Sequence, residues 1–351
     1  MYKKMHRKIL TRQKRIFVLI PVLIPVLGLL FLLGSCAKSQ AYEQVSEARL
    51  LLDTVCTITI HDSDGSFDAE ALADILDRAF EICRELEKLF SITIEGSDIW
   101  RINHAGGEPV EVDSHTIEVI KAGLEFGGLS GGMFDITIGR LSRLWDFGSS
   151  NRVPKTSEID EAQMTVDYRQ LNINGNFVQL DNAEAWIELG AIAKGYIADR
   201  IAEYLLEQGV TSALIDLGRD IFTIGSRGDG SEWRIGVAKP FDSKNEYVGV
   251  LEITEASVVS SGIYERGFEE AGVWYHHILN PQTGMPARSD VVSATVIAKS
   301  AVVGEGLSTI AVLAGSEKAS ELLAQVPGFI GAVLVLENEE VVTLGDVRFA
   351  G

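Results

Sequence analysis

The chain has 351 residues, 46% hydrophobic and 23% charged, an ordinary globular balance with length for one large domain or two small ones. Its formal net charge of −19 is unevenly placed: residues 1–35 carry seven Lys or Arg and no acid, so the remainder holds 24 bases against 50 acids and carries −26. A body that acidic repels nucleic acid, and any phosphate-bearing ligand needs a metal ion or a focused local positive site.

The bases Lys3, Lys4, Arg7, Lys8, Arg12, Lys14 and Arg15 precede an apolar run, residues 16–33, that ends in Leu33-Gly34-Ser35-Cys36. A basic region, an apolar region and small residues before a cleavage point describe an export signal. The tetrapeptide resembles a lipobox, in which the Cys becomes the lipidated first residue of the mature protein. The alternative is a plain membrane anchor, since the run is about long enough to span a bilayer, although Pro21 and Pro25 interrupt it. Either reading puts the body outside the cytoplasm. The expected organisation is a signal peptide over 1–35, a polar tether over 36–48 and one domain over 49–351, held as a cell-membrane lipoprotein on the periplasmic face through Cys36.

Cys56 sits in an alternating, strand-like run, Val55-Cys56-Thr57-Ile58-Thr59-Ile60. Cys83 shares the apolar stripe of a helix with Ile75, Leu76, Ala79, Leu86 and Phe90. Export permits a disulfide between them. Buried free thiols are the preferred reading, because both positions are apolar-facing.

Helical patterns cover 68–90, 116–126 and 191–208, the last ended by Gly209. Strand-like runs fall at 213–216, 233–237, 257–260 and 293–297, and a hairpin is expected from 329–336 through Glu337-Asn338-Glu339 into 341–344. Together these predict α+β packing. Residues 149–170 are polar and irregular and read as a surface excursion.

Four stretches carry chemistry. In Gly131-Gly132-Met133-Phe134-Asp135-Ile136-Thr137, followed by Leu144-Trp145-Asp146-Phe147-Gly148, paired glycines allow close backbone approach beside a carboxylate and a hydroxyl. A tight turn into a strand fits the same residues. In Glu188-Leu189-Gly190-Ala191-Ile192-Ala193-Lys194-Gly195, Lys194 falls in the first turn of a helix, where a cation opposes the dipole unless an anion is bound there. A solvated Lys that tolerates the cost is the plainer alternative. His276-His277 cannot share one face of a strand, which disfavours a joint metal site, while one of them facing a cleft is compatible. In Gly304-Glu305-Gly306-Leu307-Ser308-Thr309, Glu305, Ser308 and Thr309 share a helical face whose hard oxygens suit Mg²⁺. An ordinary polar helix start also fits. Gly304 and Gly306 each cost a helix about 1 kcal/mol relative to Ala, which close approach by a ligand or another backbone would explain.

In this order and spacing the stretches resemble the ApbE family of FAD:protein FMN transferases, from about Leu50 to Leu336. Further elements of the resemblance are Asp216-Leu217-Gly218-Arg219-Asp220 and Ser260-Ser261-Gly262-Ile263-Tyr264-Glu265-Arg266. The resemblance implies an α+β fold of mixed or antiparallel sheets with packed helices and an FAD cleft between sub-domains. It implies Mg²⁺ held by the Ala191 carbonyl, Glu305 and Thr309, with Ser308 as a further ligand. FAD contacts map to Leu52, Met133, Phe134, Asp135, Glu188, Lys194 and Leu279. The catalytic base maps to His277, with Asp135 as the next candidate. The implied reaction is transfer of the FMN half of FAD to a threonine of a membrane redox protein carrying Asp-x-x-(Ser/Thr)-Gly-Ala-(Ser/Thr), with release of AMP. This chain contains no such sequence. An FAD pyrophosphatase with the same site, and a non-catalytic flavin-binding lipoprotein, are the alternatives.

Three departures from the family pattern stand out. Glu305 replaces an Asp, Leu52-Asp53-Thr54 replaces Met-Gly-Thr, and Gly218-Arg219 replaces Gly-Gly.

Overall fold

The computed structural model describes residues 43–350 apart from Ser63, Ser150, Ser243 and Asn245. The export signal, the lipobox with Cys36 and the start of the tether lie outside the described residues.

β1 (Glu43–Leu51) turns into β2 (Thr54–Asp62) through Leu52 and Asp53, both at φ 55°. Two left-handed residues make the tight hairpin whose twist matches the strands, which is where the usual glycine would be at ease. The Leu52 amide is fixed by Glu87 Oε1 at 2.8 Å. α1 (Ala69–Phe90) is capped by the Asp68 carboxylate on the Ala71 amide at 2.8 Å, and Leu72, Ile75, Leu76, Ala79, Phe80, Cys83, Leu86 and Phe90 form its buried stripe. After it come α2 (Asp98–His104), β3 (Val110–Glu111), α3 (Ser114–Ser130), α4 (Gly139–Trp145) and α5 (Thr156–Gln163). β4 (Leu171–Asn174) and β5 (Phe177–Leu180) then join β3 in a three-stranded sheet.

α6 (Ala193–Glu207) leads to β6 (Ala213–Leu217) and β7 (Ile221–Ile224), then to β8 (Trp233–Ala238), β9 (Tyr247–Ile253) and β10 (Ala256–Gly262). The hairpin of β11 (Gly267–Glu270) and β12 (Val273–His276) precedes β13 (Val291–Ala298), α7 (Ala301–Ala314) and α8 (Ser316–Leu323). β14 (Phe329–Leu336), β15 (Val341–Gly345) and β16 (Phe349–Ala350) close the chain.

The main sheet runs β1-β2-β6-β7-β10-β13-β14-β15, and every neighbouring pair is antiparallel. Its central strands are apolar on both faces because both are covered. Ala294, Val296, Ala332 and Leu334 belong to the large core with α1, α6 and α7, whereas Val258, Ile297 and Val333 meet Trp233, Ile235, Val237 and Leu251 of a small β16-β9-β8 sheet. The period of two along each strand sends alternate side chains to the two layers. A third cluster, Leu141, Trp145, Ile159, Phe268 and Leu279, ties α4 and α5 to the β11–β12 hairpin. The described residues cluster as one unit, and the cleft described below opens within it.

Two expectations change. Residues 43–47, read as part of a polar tether, are the first half of β1; their charges suit a sheet edge, where they discourage pairing with other chains. The supposed irregular excursion over 149–170 contains α5, whose Ile159 is buried in the third cluster. Cys56 and Cys83 are buried and free. Among the described residues no helix is long and apolar enough to cross a membrane.

Candidate active site

Lys194 lies in the first turn of α6, and the anions that favour a cation there come from the protein itself. Its ammonium meets Asp220 Oδ2 at 2.5 Å and also pairs with Glu305 Oε1; the side chains of Asp220 and Glu305 are 5% and 4% exposed. Burial opposes the ammonium's charge, but the two carboxylates outweigh it and hold its pKa above the ordinary lysine value. Burial pushes the Glu305 carboxyl up to about 7, against the pull of Lys194. Two carboxylates and one ammonium leave the cluster an electron-rich centre.

The second oxygen of Glu305 accepts the Gly195 amide at 2.7 Å. Gly195 is the third residue of α6, where a helix leaves the amide without an intrahelical acceptor, and the Glu305 carboxylate supplies one. Ala191 lies in the turn just before the helix. Gly195 is required here by contact: a Cβ on it would lie 2.4 Å from the Ala301 carbonyl oxygen. α6 and α7 are therefore in backbone contact, and Asp199 locks them by accepting the Ser300 hydroxyl at 2.6 Å and the Ala301 amide at 2.6 Å.

Along α7, Ser261 of β10 holds the hydroxyls of Ser308 at 2.7 Å and Thr309 at 3.2 Å. Ser308 is fully buried and donates to the Glu305 carbonyl at 3.0 Å, so it serves the packing of α7 on β10 rather than facing a ligand. Thr309 is half-buried. A hard divalent cation would draw on oxygens of the kind that the Ala191 carbonyl, the Glu305 carboxylate and the Thr309 hydroxyl offer. Among the described residues no group of three or more His, Cys, Asp or Glu is arranged to hold a metal, so such an ion would depend on this carbonyl and hydroxyl. Gly304 and Gly306 need no ligand to explain them. Gly304 packs against Ser257 and Val259 of β10, and a Cβ on Gly306 would strike the Phe126 ring at 2.4 Å.

The two histidines separate. His276 is buried, with Nε2 donating to the Ala287 carbonyl at 3.0 Å. His277 is half-buried, and its Nδ1 lies 3.3 Å from the Arg266 carbonyl oxygen. A carbonyl only accepts, so the proton sits on Nδ1 and the Nε2 lone pair is left to act as a base. Surrounding protein, then Arg266 and more weakly Lys194, push its pKa down to about 4. The ring is neutral at physiological pH.

The Gly-Gly loop is held beside the start of α6. The Glu188 amide donates to the Ile136 carbonyl at 2.8 Å, the Gly139 amide donates to the Trp186 carbonyl at 3.0 Å, and Asn103 clasps both backbone groups of Ile187 at 2.7 and 2.8 Å. Glu188 accepts from Ser142 at 2.9 Å and from the Gly190 amide at 3.1 Å. Met133, Phe134 and Leu279 are packed into the apolar clusters rather than laid open on a surface. Asp135 accepts from the Thr137 amide and hydroxyl and from the Tyr168 amide, at 2.6–2.9 Å. Those bonds make it an anchor for the Tyr168 loop and leave little of it to serve as a base. Burial raises its pKa, with the same bonds pulling back.

A cleft of about 740 Å³ opens between the main sheet and the β8–β9 turn, with Thr54, Asp216, Arg219, Phe241, Tyr264 and Glu265 among its walls. Leu52 is not among them; it packs on the core at the hairpin, while its neighbours Thr54 and Val55 line the cleft. The β6–β7 turn, Gly218 at φ 69° and Arg219 at φ 79°, closes with the Leu217 amide on the Asp220 carbonyl at 3.0 Å. Asp220, Ser261, Asn103 and Asp199 are the site-forming residues that sequence reasoning did not single out. Asp220 and Ser261 did lie in stretches already quoted, next to Arg219 and Ser260.

The family model of the ApbE family matches residues 52–334. The FAD:protein FMN transferase of Treponema pallidum (strain Nichols) is 32% identical over 325 residues, 88% of this chain and 89% of that protein. One from Klebsiella pneumoniae (strain 342) is 36% identical over 278 residues, 78% of this chain and 84% of that protein. Among solved structures, the ApbE protein from Thermotoga maritima has a TM-score of 0.77 at 32% identity, covering 86% of this chain and 97% of that one. The flavin transferase ApbE from Vibrio cholerae gives 0.76 at 28%, covering 86% and 96%.

Proposed function

We propose, since this chain belongs to the ApbE family, that it is a Mg²⁺-dependent transferase that moves the FMN half of FAD to a threonine of a membrane redox protein and releases AMP. The observation that carries this reading is the cluster at the start of α6, where Lys194 meets Asp220 and Glu305 while the second Glu305 oxygen accepts the Gly195 amide. The hard oxygens of the Ala191 carbonyl, Glu305 and Thr309 would suit Mg²⁺. When bound, the ion would neutralise charge on the pyrophosphate and on the leaving AMP.

The chain's own residues supply the rest. Asp220 and Glu305 hold Lys194 charged where an anionic pyrophosphate would enter an otherwise acidic protein. The acceptor hydroxyl attacks the phosphorus on the FMN side, a P–O bond to threonine forms, and the bridging P–O bond to AMP breaks. His277 Nε2 takes the hydroxyl proton, because its ring is neutral and its Nδ1 proton is committed to the Arg266 carbonyl. The acceptor's Asp-x-x-(Ser/Thr)-Gly-Ala-(Ser/Thr) pattern and lipid attachment through Cys36 belong to the same proposal.

Incubation of the chain with FAD, Mg²⁺ and an acceptor domain bearing the pattern tests it. FMN on the acceptor threonine together with AMP supports transfer. AMP with free FMN alone makes the chain a pyrophosphatase, and no AMP makes it a binder.

A further inference from the structure

The cleft beside the Lys194 cluster holds two residues in conformations that their side chains disfavour. Arg219 is at φ 79° and Phe241 at φ 56°, and both line it. For bulky residues the left-handed region is an outlier, maintained at functional sites at the expense of stability. Phe241 is 58% exposed and stands edge-on to Tyr264, with ring centres 5.9 Å apart, and to Trp274 at 5.8 Å. A large aromatic surface is thereby left open to the cleft.

Arg219 and Asp220 are successive residues of one turn with opposite assignments. Asp220 points inward to Lys194, while Arg219 is exposed along the cleft. Asp216 Oδ1 fixes the Arg219 amide at 2.7 Å and so sets the turn without engaging the guanidinium. Asp216 and Glu265 lie near enough to act electrostatically on that guanidinium, yet among the described residues no carboxylate comes within ion-pair distance of it. The other base of the cleft, Lys239, has Glu246 at 4.0 Å. In a cleft walled by Asp216, Asp242, Glu246 and Glu265, Arg219 is the cation left to meet an anion from outside. A volume of about 740 Å³ is in the range of small-molecule sites.

We propose that Arg219 binds the phosphate of the nucleotide half that leaves, with its base against Phe241. The assignment rests on the reading that FAD is the substrate, and it makes Arg219 a binding and specificity residue that this chain carries where the family pattern has glycine. The guanidinium offers a planar fork to phosphate oxygens, and a glycine there offers none.

Titration calorimetry with AMP and with adenosine, on the full-length chain and on Arg219→Gly and Phe241→Gly, tests this. Glycine relieves the left-handed backbone at both positions, so both variants should fold at least as stably as the parent. The parent should prefer AMP to adenosine. Arg219→Gly should lose roughly tenfold or more in AMP affinity with adenosine unchanged, which is the worth of a charge-assisted hydrogen bond. Phe241→Gly should weaken both ligands alike. If Arg219→Gly binds AMP as well as the parent, while the parent binds FAD and releases AMP from it, the Arg219 assignment alone is wrong. If the parent binds neither FAD nor AMP, the FAD reading falls and the Arg219 assignment falls with it.

Discussion

Lys194 at the start of α6 and Glu305 on α7, 111 residues apart in sequence, share a buried ion pair. Asp220 meets the same ammonium. The pair binds the two helices through a carboxylate proposed to hold the metal, so its removal should be felt in stability and in metal response together. Lys194→Met leaves two buried carboxylates facing each other without a cation. The variant should lose about 3 kcal/mol of stability in EDTA and recover much of it with millimolar Mg²⁺. Thermal melts of both proteins with and without metal check this; a variant as stable as the parent, or indifferent to Mg²⁺, would remove the ion from this site.

His277 separates binding from chemistry. The incoming hydroxyl is absent from the FAD complex, so His277→Ala should keep FAD affinity within a few-fold while FMN transfer slows by about 100-fold or more. Its ring loses its lone pair only on protonation, and its pKa is pushed down to about 4. The transfer rate should therefore be level across neutral pH and fall as pH drops through about 4, rather than near 6.5 as for an unshifted imidazole. A single-turnover pH profile decides it, and a variant that transfers at the parent rate would strip His277 of the role.

Two glycines predict opposite outcomes. A methyl on Gly195 would sit 2.4 Å from the Ala301 carbonyl oxygen, so Gly195→Ala should force α6 off α7 and lower stability by about 1–3 kcal/mol. Gly128 is on the exposed side of α3 with nothing within 4 Å, so Gly128→Ala should stabilise by about 0.5–1 kcal/mol. Urea melts of the pair check the contrast. Equal effects would mean that the helix contact at Gly195 is not tight.

Cys36 carries the proposed membrane attachment. Cys36→Ser should release the protein from the membrane fraction and remove the lipid from its mass. Unchanged mass and attachment would instead favour an uncleaved anchor.

What the sequence made legible follows from periodicity and range. The stripe of α1, the strands β6, β8, β10, β13 and β14 and the shared face of Glu305 and Thr309 are patterns within one element, where spacing alone is informative. β1 was hidden because an edge strand of charged residues resembles a tether. Asp220 was hidden because its partners Lys194 and Glu305 are distant in the chain, and nothing local marks the meeting. Asp135 illustrates the reverse case. A carboxylate beside glycines suggests catalysis, yet the fold commits its oxygens to Thr137 and Tyr168. The left-handed backbone of Arg219 and Phe241 became visible only with coordinates, although the arginine in place of glycine marked the turn in advance.

The central claim is that a threonine, not water, takes the FMN half. The direct test follows AMP release from FAD and Mg²⁺ over time, with an acceptor domain and with the same domain carrying valine for its threonine. The account predicts one AMP per flavinylated acceptor and little AMP when the hydroxyl is missing. AMP and free FMN appearing at the same rate with either acceptor would contradict it.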